Sequence, residues 1–223
     1  MGGLDVAADI RTALRAAAVP ERAAGQQAYM KSHMPFLGVT VPDARRIARS
    51  RATAHGIRDA ASALPVARVL WDDATHREER YAAMALLALR GVEGDPGIVP
   101  TLEHMVRTGR WWDFTDELAH RFPPLLESDP ARTGALLRTW STDADLWIRR
   151  VAIIAQLGRK DAVDRVLLED VMAPNLDDAD FFIRKAIGWA LRELARVDPD
   201  WVRAYVASHE LSPVSRREAL KHL

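Results

Sequence analysis

The chain of 223 residues contains no cysteine. That absence excludes a disulfide scaffold, a thiolate zinc site, an iron–sulfur cluster and a cysteine nucleophile. Lysine is nearly absent too: only Lys31, Lys160, Lys185 and Lys221 stand among 31 basic residues, and the rest are arginine. Arginine suits bidentate phosphate binding and stacking, although heavy alanine usage points equally to a GC-rich coding bias. No apolar run approaches the ~20 residues of a membrane span. Met1 to Arg15 lacks the basic start and apolar stretch of a secretory signal, so a cytoplasmic location is expected. There is no P-loop, no GxGxxG after a strand and no HExxH. The seven histidines never pair with a second ligand at i,i+4, so neither a metal nor a bound cofactor is expected. Alternating strands and Asn-Gly or Asp-Gly hairpins are also missing.

The 31 acidic residues cancel the 31 basic ones, but unevenly along the chain. Residues 1–50 carry +3 and residues 181–223 carry +3, whereas 51–125 carry −2 and 126–180 carry −4. Basic ends around an acidic middle leave room for a local cationic surface.

What is present is helical periodicity. Thr75 to Glu78 has the form of a capping box. It opens a run with Tyr81, Met84, Ala85, Leu87 and Ala88 at helical spacing, closed by Gly91. Asp143 is placed to cap a helix through Trp147, Val151, Ile154 and Ala155 that ends at Gly158. Asp177 is placed to open another through Phe181, Ile187, Leu191 and Leu194. Ser212-Pro213 pairs an N-cap with proline at the first helical position. Pro20, Pro42, Pro65 and Pro130 likewise stand near helix starts. Phe36 to Val41 is β-like but short and flanked by prolines, so it is expected to be a connector.

Asp145-Leu-Trp-Ile-Arg-Arg-Val151 echoes Asp180-Phe-Phe-Ile-Arg-Lys-Ala186 after 35 residues. A fainter relative, Glu79-Arg-Tyr-Ala-Ala, lies 69 residues upstream of the second copy's forerunner at Ile148. Helix pairs at this period predict an all-α solenoid of stacked antiparallel pairs, HEAT-like and C-shaped with a concave face. No linker or low-complexity stretch interrupts it, so residues 1–223 are expected to be one domain.

The unusual segment is Arg110-Trp-Trp-Asp-Phe-Thr-Asp116. On a helix, Trp112 and Asp116 share a face, and an unpaired carboxylate among aromatics is costly. Either Asp116 pairs with an arginine in the core, or it serves something positive. Trp147-Ile-Arg-Arg150 and Ile183-Arg-Lys-Ala-Ile-Gly-Trp189 add two more aromatic and cationic sets. Gly188 permits close approach by backbone or ligand.

These pieces, with Ala28-Tyr-Met-Lys31 through Val39 and Leu211 through His222, resemble the AlkD-like DNA alkylation repair family of HEAT-like-repeat DNA glycosylases over nearly the whole chain. The resemblance implies a monofunctional glycosylase that hydrolyses the N-glycosidic bond of cationic alkylpurines such as 3-methyladenine and 7-methylguanine in duplex DNA, opening base excision repair. It matches Asp116 to the catalytic carboxylate and Trp112 and Trp189 to the aromatic pair beside the lesion. It implies DNA contacts from Tyr29, Lys31, Arg149, Arg150, Arg184 and Lys185, with Arg150 favoured over Arg149 for phosphate. Phe114-Thr115 departs from the family pattern, which has a small residue followed by valine. No lysine stands in the Trp–Asp segment to form a Schiff base. A monomer acting on alkylated double-stranded DNA without metal or membrane is expected, with a non-catalytic helical-repeat module that binds DNA or protein as the alternative.

Overall fold

The computed structural model describes residues 3–223. Among these residues it contains fourteen α-helices, three short 3-10 turns and no strand, the all-α class that the periodicity predicts. Backbone contacts gather into two compact units, Met1–Thr101 and Leu102–Leu223.

The first unit holds α1 (Gly3–Ala16), α2 (Pro20–Met30), α3 (Val41–Ala54), α4 (Ala60–Asp72) and α5 (Arg77–Leu86). Helices α1, α3, α4 and α5 pack against one another. Their seams are lined by alanines such as Ala48, Ala52, Ala67, Ala82 and Ala83, all at 0% exposure, which lets backbones approach closely. Helix α5 is buried nearly all round, including Glu78 and Glu79. Charges so placed must be paired or hydrogen-bonded. Glu79 pairs with Arg11 at 2.9 Å and Arg15 at 3.3 Å and accepts from the Thr75 hydroxyl. Glu78 accepts the backbone N–H groups of Leu37, Gly38 and Val39 at 2.9–3.2 Å. The capping box read at Thr75 and Glu78 is therefore corrected: α5 starts at Arg77, Thr75 engages Glu79, and Glu78 anchors the connector.

That connector has no strand, as expected. Gly38 adopts φ +84°, and a Cβ there would overlap the carbonyl oxygen of Val19. Gly38→Ala should therefore cost at least about 1–2 kcal/mol from the left-handed conformation alone, read as a lowered melting temperature; an unchanged melt would contradict the placement. Two other punctuation readings are corrected. Pro65 lies inside α4 rather than at its start. Helix α5 ends at Leu86, and Gly91 is needed instead because a side chain would collide with the carbonyl of Arg58.

The second unit is entered through α6 (Val99–Gly109) and holds α7 (Trp112–Ala119), α8 (Phe122–Ser128), α9 (Pro130–Trp140), α10 (Leu146–Ile154), α11 (Arg165–Met172), α12 (Phe181–Leu194), α13 (Pro199–Ser208) and α14 (Pro213–Ala219). Helices α8 and α9, α9 and α10, α10 and α11, α12 and α13, and α13 and α14 pack in succession, α10 also contacts α7 and α12, and α14 packs against α12.

The 35-residue echo is structural. Asp145 caps α10 by accepting the N–H of Trp147, and Asp180 caps α12 by accepting that of Phe182. Two residues earlier, Asp143 and Asp178 accept the N–H of these caps. The caps expected at Asp143 and Asp177 are thus corrected to Asp145 and Asp180. Arg149 and Arg184 occupy equivalent positions, each donating to the backbone carbonyl six residues upstream, Asp143 and Asp178. Ser212 caps α14 as expected.

Candidate functional site

Helix α7 opens at Trp112 and carries Asp116 one turn later, both half-buried. Helix α10 brings Arg150 against it. Arg150 Nε donates to Asp116 Oδ1 at 2.7 Å and Nη2 donates to Oδ2 at 2.8 Å, a planar bidentate pair. Nη1 donates to the Phe182 carbonyl at 2.6 Å, tying α10 to the start of α12. The Arg150 side chain is 5% exposed and that of Asp116 17%. A guanidinium this deep needs a counter-charge, and Asp116 supplies it. The arginine pairing that the sequence leaves open to Asp116 is present.

An aromatic wall stands behind the pair. Trp147 and Phe182, equivalent positions 35 residues apart, lie 4.9 Å from each other and 6.2 and 5.9 Å from Trp111. Phe181 continues the wall at 5.6 Å from Phe182 and is 58% exposed. The Arg150 guanidinium sits 5.9 Å from the Phe182 ring centroid.

On the other side, Arg150 joins Lys185, Trp189, Arg192 and Glu218 in lining a pocket of about 240 Å3. Lys185 Nζ donates to Glu218 Oε2 at 2.6 Å, and Arg192 pairs with Glu218 Oε1. Burial, then the guanidiniums of Arg192, Arg217 and Arg150, pulls the Lys185 pKa below its ordinary value. Gly188 has its explanation here: a Cβ would lie 2.5 Å from Glu218 Cβ and 2.8 Å from the Ser215 carbonyl. The close approach it allows is that of α14, not of a ligand.

Asp116, Arg150, Lys185 and Trp189 therefore form one connected set within the second unit, with Trp112 a turn from Asp116. Arg149 faces another task. It donates to Asn175 Oδ1, the Asp143 and Ala144 carbonyls and Asp178 Oδ2, clasping one repeat to the next. Arg184 is half-buried against the Asp178 carbonyl. Tyr29 and Lys31 belong to the first unit: Tyr29 is 74% exposed near the end of α2, and Lys31 closes that helix at φ 49°.

Arg192 and Glu218 escaped the sequence reading. The signal existed, since Arg192 is seven residues after Lys185 on one helical face, and Glu218 lies 33 residues after Lys185, close to the repeat length. Lys185 shares its pocket with Arg150 and Trp189, and neither Trp112 nor Asp116 lines it. Among the described residues no group of three His, Cys, Asp or Glu side chains is placed to hold a metal, and no helix is long and apolar enough to cross a membrane.

The family profile described as DNA alkylation repair enzyme matches residues 10–223. No curated protein matches the chain. Among solved structures, one described as a predicted DNA alkylation repair enzyme from Enterococcus faecalis is similar at 26% identity and TM-score 0.82, covering 92% of this chain and 95% of its own. AlkD2 from Streptococcus mutans is similar at 17% identity and TM-score 0.65, covering 83% and 91%. The protein smu.31 from Streptococcus mutans UA159 is similar at 18% identity and TM-score 0.63, covering 82% and 92%.

Proposed function

The chain belongs to the DNA alkylation repair enzyme family, and from that premise we propose that it is a monofunctional DNA glycosylase releasing cationic alkylpurines, of the 3-methyladenine and 7-methylguanine type, from duplex DNA as the first step of base excision repair. The observation that carries the reading is a carboxylate held in one orientation by a bidentate guanidinium, a turn from Trp112 and linked through Arg150 to the pocket of Trp189.

The chemistry asks for such a group. A positively charged purine is already a good leaving group, so no strong general acid is needed. Breaking its glycosidic bond builds positive charge on the deoxyribose, which a nearby carboxylate stabilises while orienting or deprotonating the attacking water. Arg150 occupies one direction on each Asp116 oxygen and leaves further lone-pair directions for water or sugar. Electron-rich indole faces at Trp112 and Trp189 attract the cationic base.

Phosphate contacts from Tyr29, Lys31, Arg150, Arg184 and Lys185 fit the same reading, whereas the Arg149 guanidinium is committed to Asn175, Asp143, Ala144 and Asp178. Arg150 uses three of its five N–H groups on Asp116 and Phe182, which leaves two for a phosphate. Lys185 is tied to Glu218 as a cation, which suits charge pairing better than Schiff-base chemistry and favours base release without strand cleavage.

A non-catalytic helical-repeat module is the second reading. The Asp116–Arg150 pair favours it, because a carboxylate that only neutralises Arg150 needs no substrate. Incubating the protein with methylated duplex DNA separates the two. The glycosylase releases free 3-methyladenine and 7-methylguanine and leaves an intact strand that breaks only on alkaline treatment. Absence of released base overturns it, and strand breaks before alkali overturn its monofunctional form.

A further inference from the structure

We propose that Glu218 is a positioning residue that holds Lys185 and Arg192 side by side as a two-cation clamp for one backbone phosphate of duplex DNA, beside Trp189. The proposal rests on the reading of duplex DNA as the ligand and uses binding, not excision, as its readout. Lys185, Trp189 and Arg192 stand at i, i+4 and i+7 on α12 and share one face. Glu218 reaches that face from α14 and accepts from both cations, one on each oxygen. Its side chain is 13% exposed. A carboxylate beside a DNA surface would ordinarily repel phosphate. With both oxygens committed to cations, this one fixes the direction of two positive groups.

The charge balance leaves the clamp short of anions. Asp116 matches Arg150, Glu218 is shared by Lys185 and Arg192, and Arg217 adds its field at Lys185. Arg192 Nε is buried with no hydrogen-bond partner, so the protein alone does not satisfy this guanidinium. A phosphate entering the pocket would relieve the repulsion among the cations. The placement of Glu218 is imposed by packing. Gly188 admits α14 at short range, and the Ser215 hydroxyl donates to the Arg184 carbonyl at 2.9 Å, fixing α14 on α12.

The test measures affinity for an unmodified duplex from 50 to 200 mM salt. Each phosphate contact contributes about 0.9 to the slope of log K against log salt. Lys185→Gln and Arg192→Gln should each flatten the slope by about one unit. Arg203→Gln, on α13 and 55% exposed, should leave it unchanged. Glu218→Gln raises the net charge by one, so simple electrostatics expects tighter binding on an unflattened slope. The clamp expects the opposite, a slope flatter by about one unit, the share of one phosphate, in a protein whose circular dichroism shows it folded. Tighter binding by Glu218→Gln with the slope intact overturns the proposal. If that variant does not fold, unchanged slopes in both single-cation variants overturn it equally, and flattened slopes support it. Failure of wild-type protein to excise bases would count against the glycosylase and leave this result standing.

Discussion

Asp116→Asn should lower base excision by about 100-fold and lower stability by about 3 kcal/mol. The first figure follows from the loss of one preorganised charge facing a developing cation, typically worth ~3–4 kcal/mol, or roughly 100- to 1,000-fold in rate. The low end applies because Arg150 already offsets part of the field and because a cationic base departs readily unaided. The second figure follows from what remains. The Arg150 guanidinium stays buried with only a neutral amide for company, and breaking one side of a buried pair typically costs about 3–5 kcal/mol. Asp116 is 17% exposed, which again selects the lower end. At ~2–4 °C per kcal/mol for a chain of this size, the melt should fall by roughly 6–12 °C. Asp113→Asn, one turn earlier on the same helix, is the milder control. Single-turnover release of 7-methylguanine and a thermal melt on the same samples check both parts. Full excision with an unchanged melt would sink both the catalytic and the structural account of Asp116.

Arg150→Met should be strongly destabilising, at about 4 kcal/mol. It strips the counter-charge from Asp116 and removes the donor from the Phe182 carbonyl, while methionine fills the aliphatic path against the aromatic wall. The double variant Asp116→Asn, Arg150→Met should lose less than the two singles combined, because no buried charge is left alone. A coupling of at least about 1 kcal/mol is expected from denaturant titrations of all four proteins. Additive losses would show that the pair is not the source of the cost.

Much of this was legible in sequence, and the misses have a common cause. The helical class, the Ser212 cap and the 35-residue echo follow from local periodicity and turn chemistry. The expected caps Asp143 and Asp177 lie two and three residues before the ones found because segment 143–145 offers two carboxylates and segment 177–180 offers three, Asp177, Asp178 and Asp180. Asp143 and Asp178 accept the N–H of Asp145 and Asp180, and only Asp145 and Asp180 are positioned to cap. Thr75 meets Glu79 rather than Glu78 because the connector 36–40 claims Glu78, a tertiary demand with no local trace. Trp112, Asp116 and Trp189 stood out as odd residues on helical faces. Their linkage runs through Arg150, which reaches Asp116 across 34 residues, and through Glu218, which reaches Lys185 across 33. Such pairings depend on which helices stack.

The spacing of those links bears on how the second unit acquires its structure. Arg107 reaches Asp143, Asp116 reaches Arg150, Arg149 reaches Asp178, Arg165 reaches Asp198 and Lys185 reaches Glu218. Each link joins one repeat to its immediate neighbour. Ring closure in the unfolded chain is thus never asked to span more than about one repeat at a time, and its entropic cost grows only with the logarithm of that short length. Low contact order of this kind goes with rapid folding. Stability then accrues as a series of neighbour terms, and structure can spread from any pair that forms first. During synthesis α7 and α10 can lock together through Asp116 and Arg150 while α14 is still being made. Trp189, whose pocket needs Glu218, is completed only when the last helix arrives.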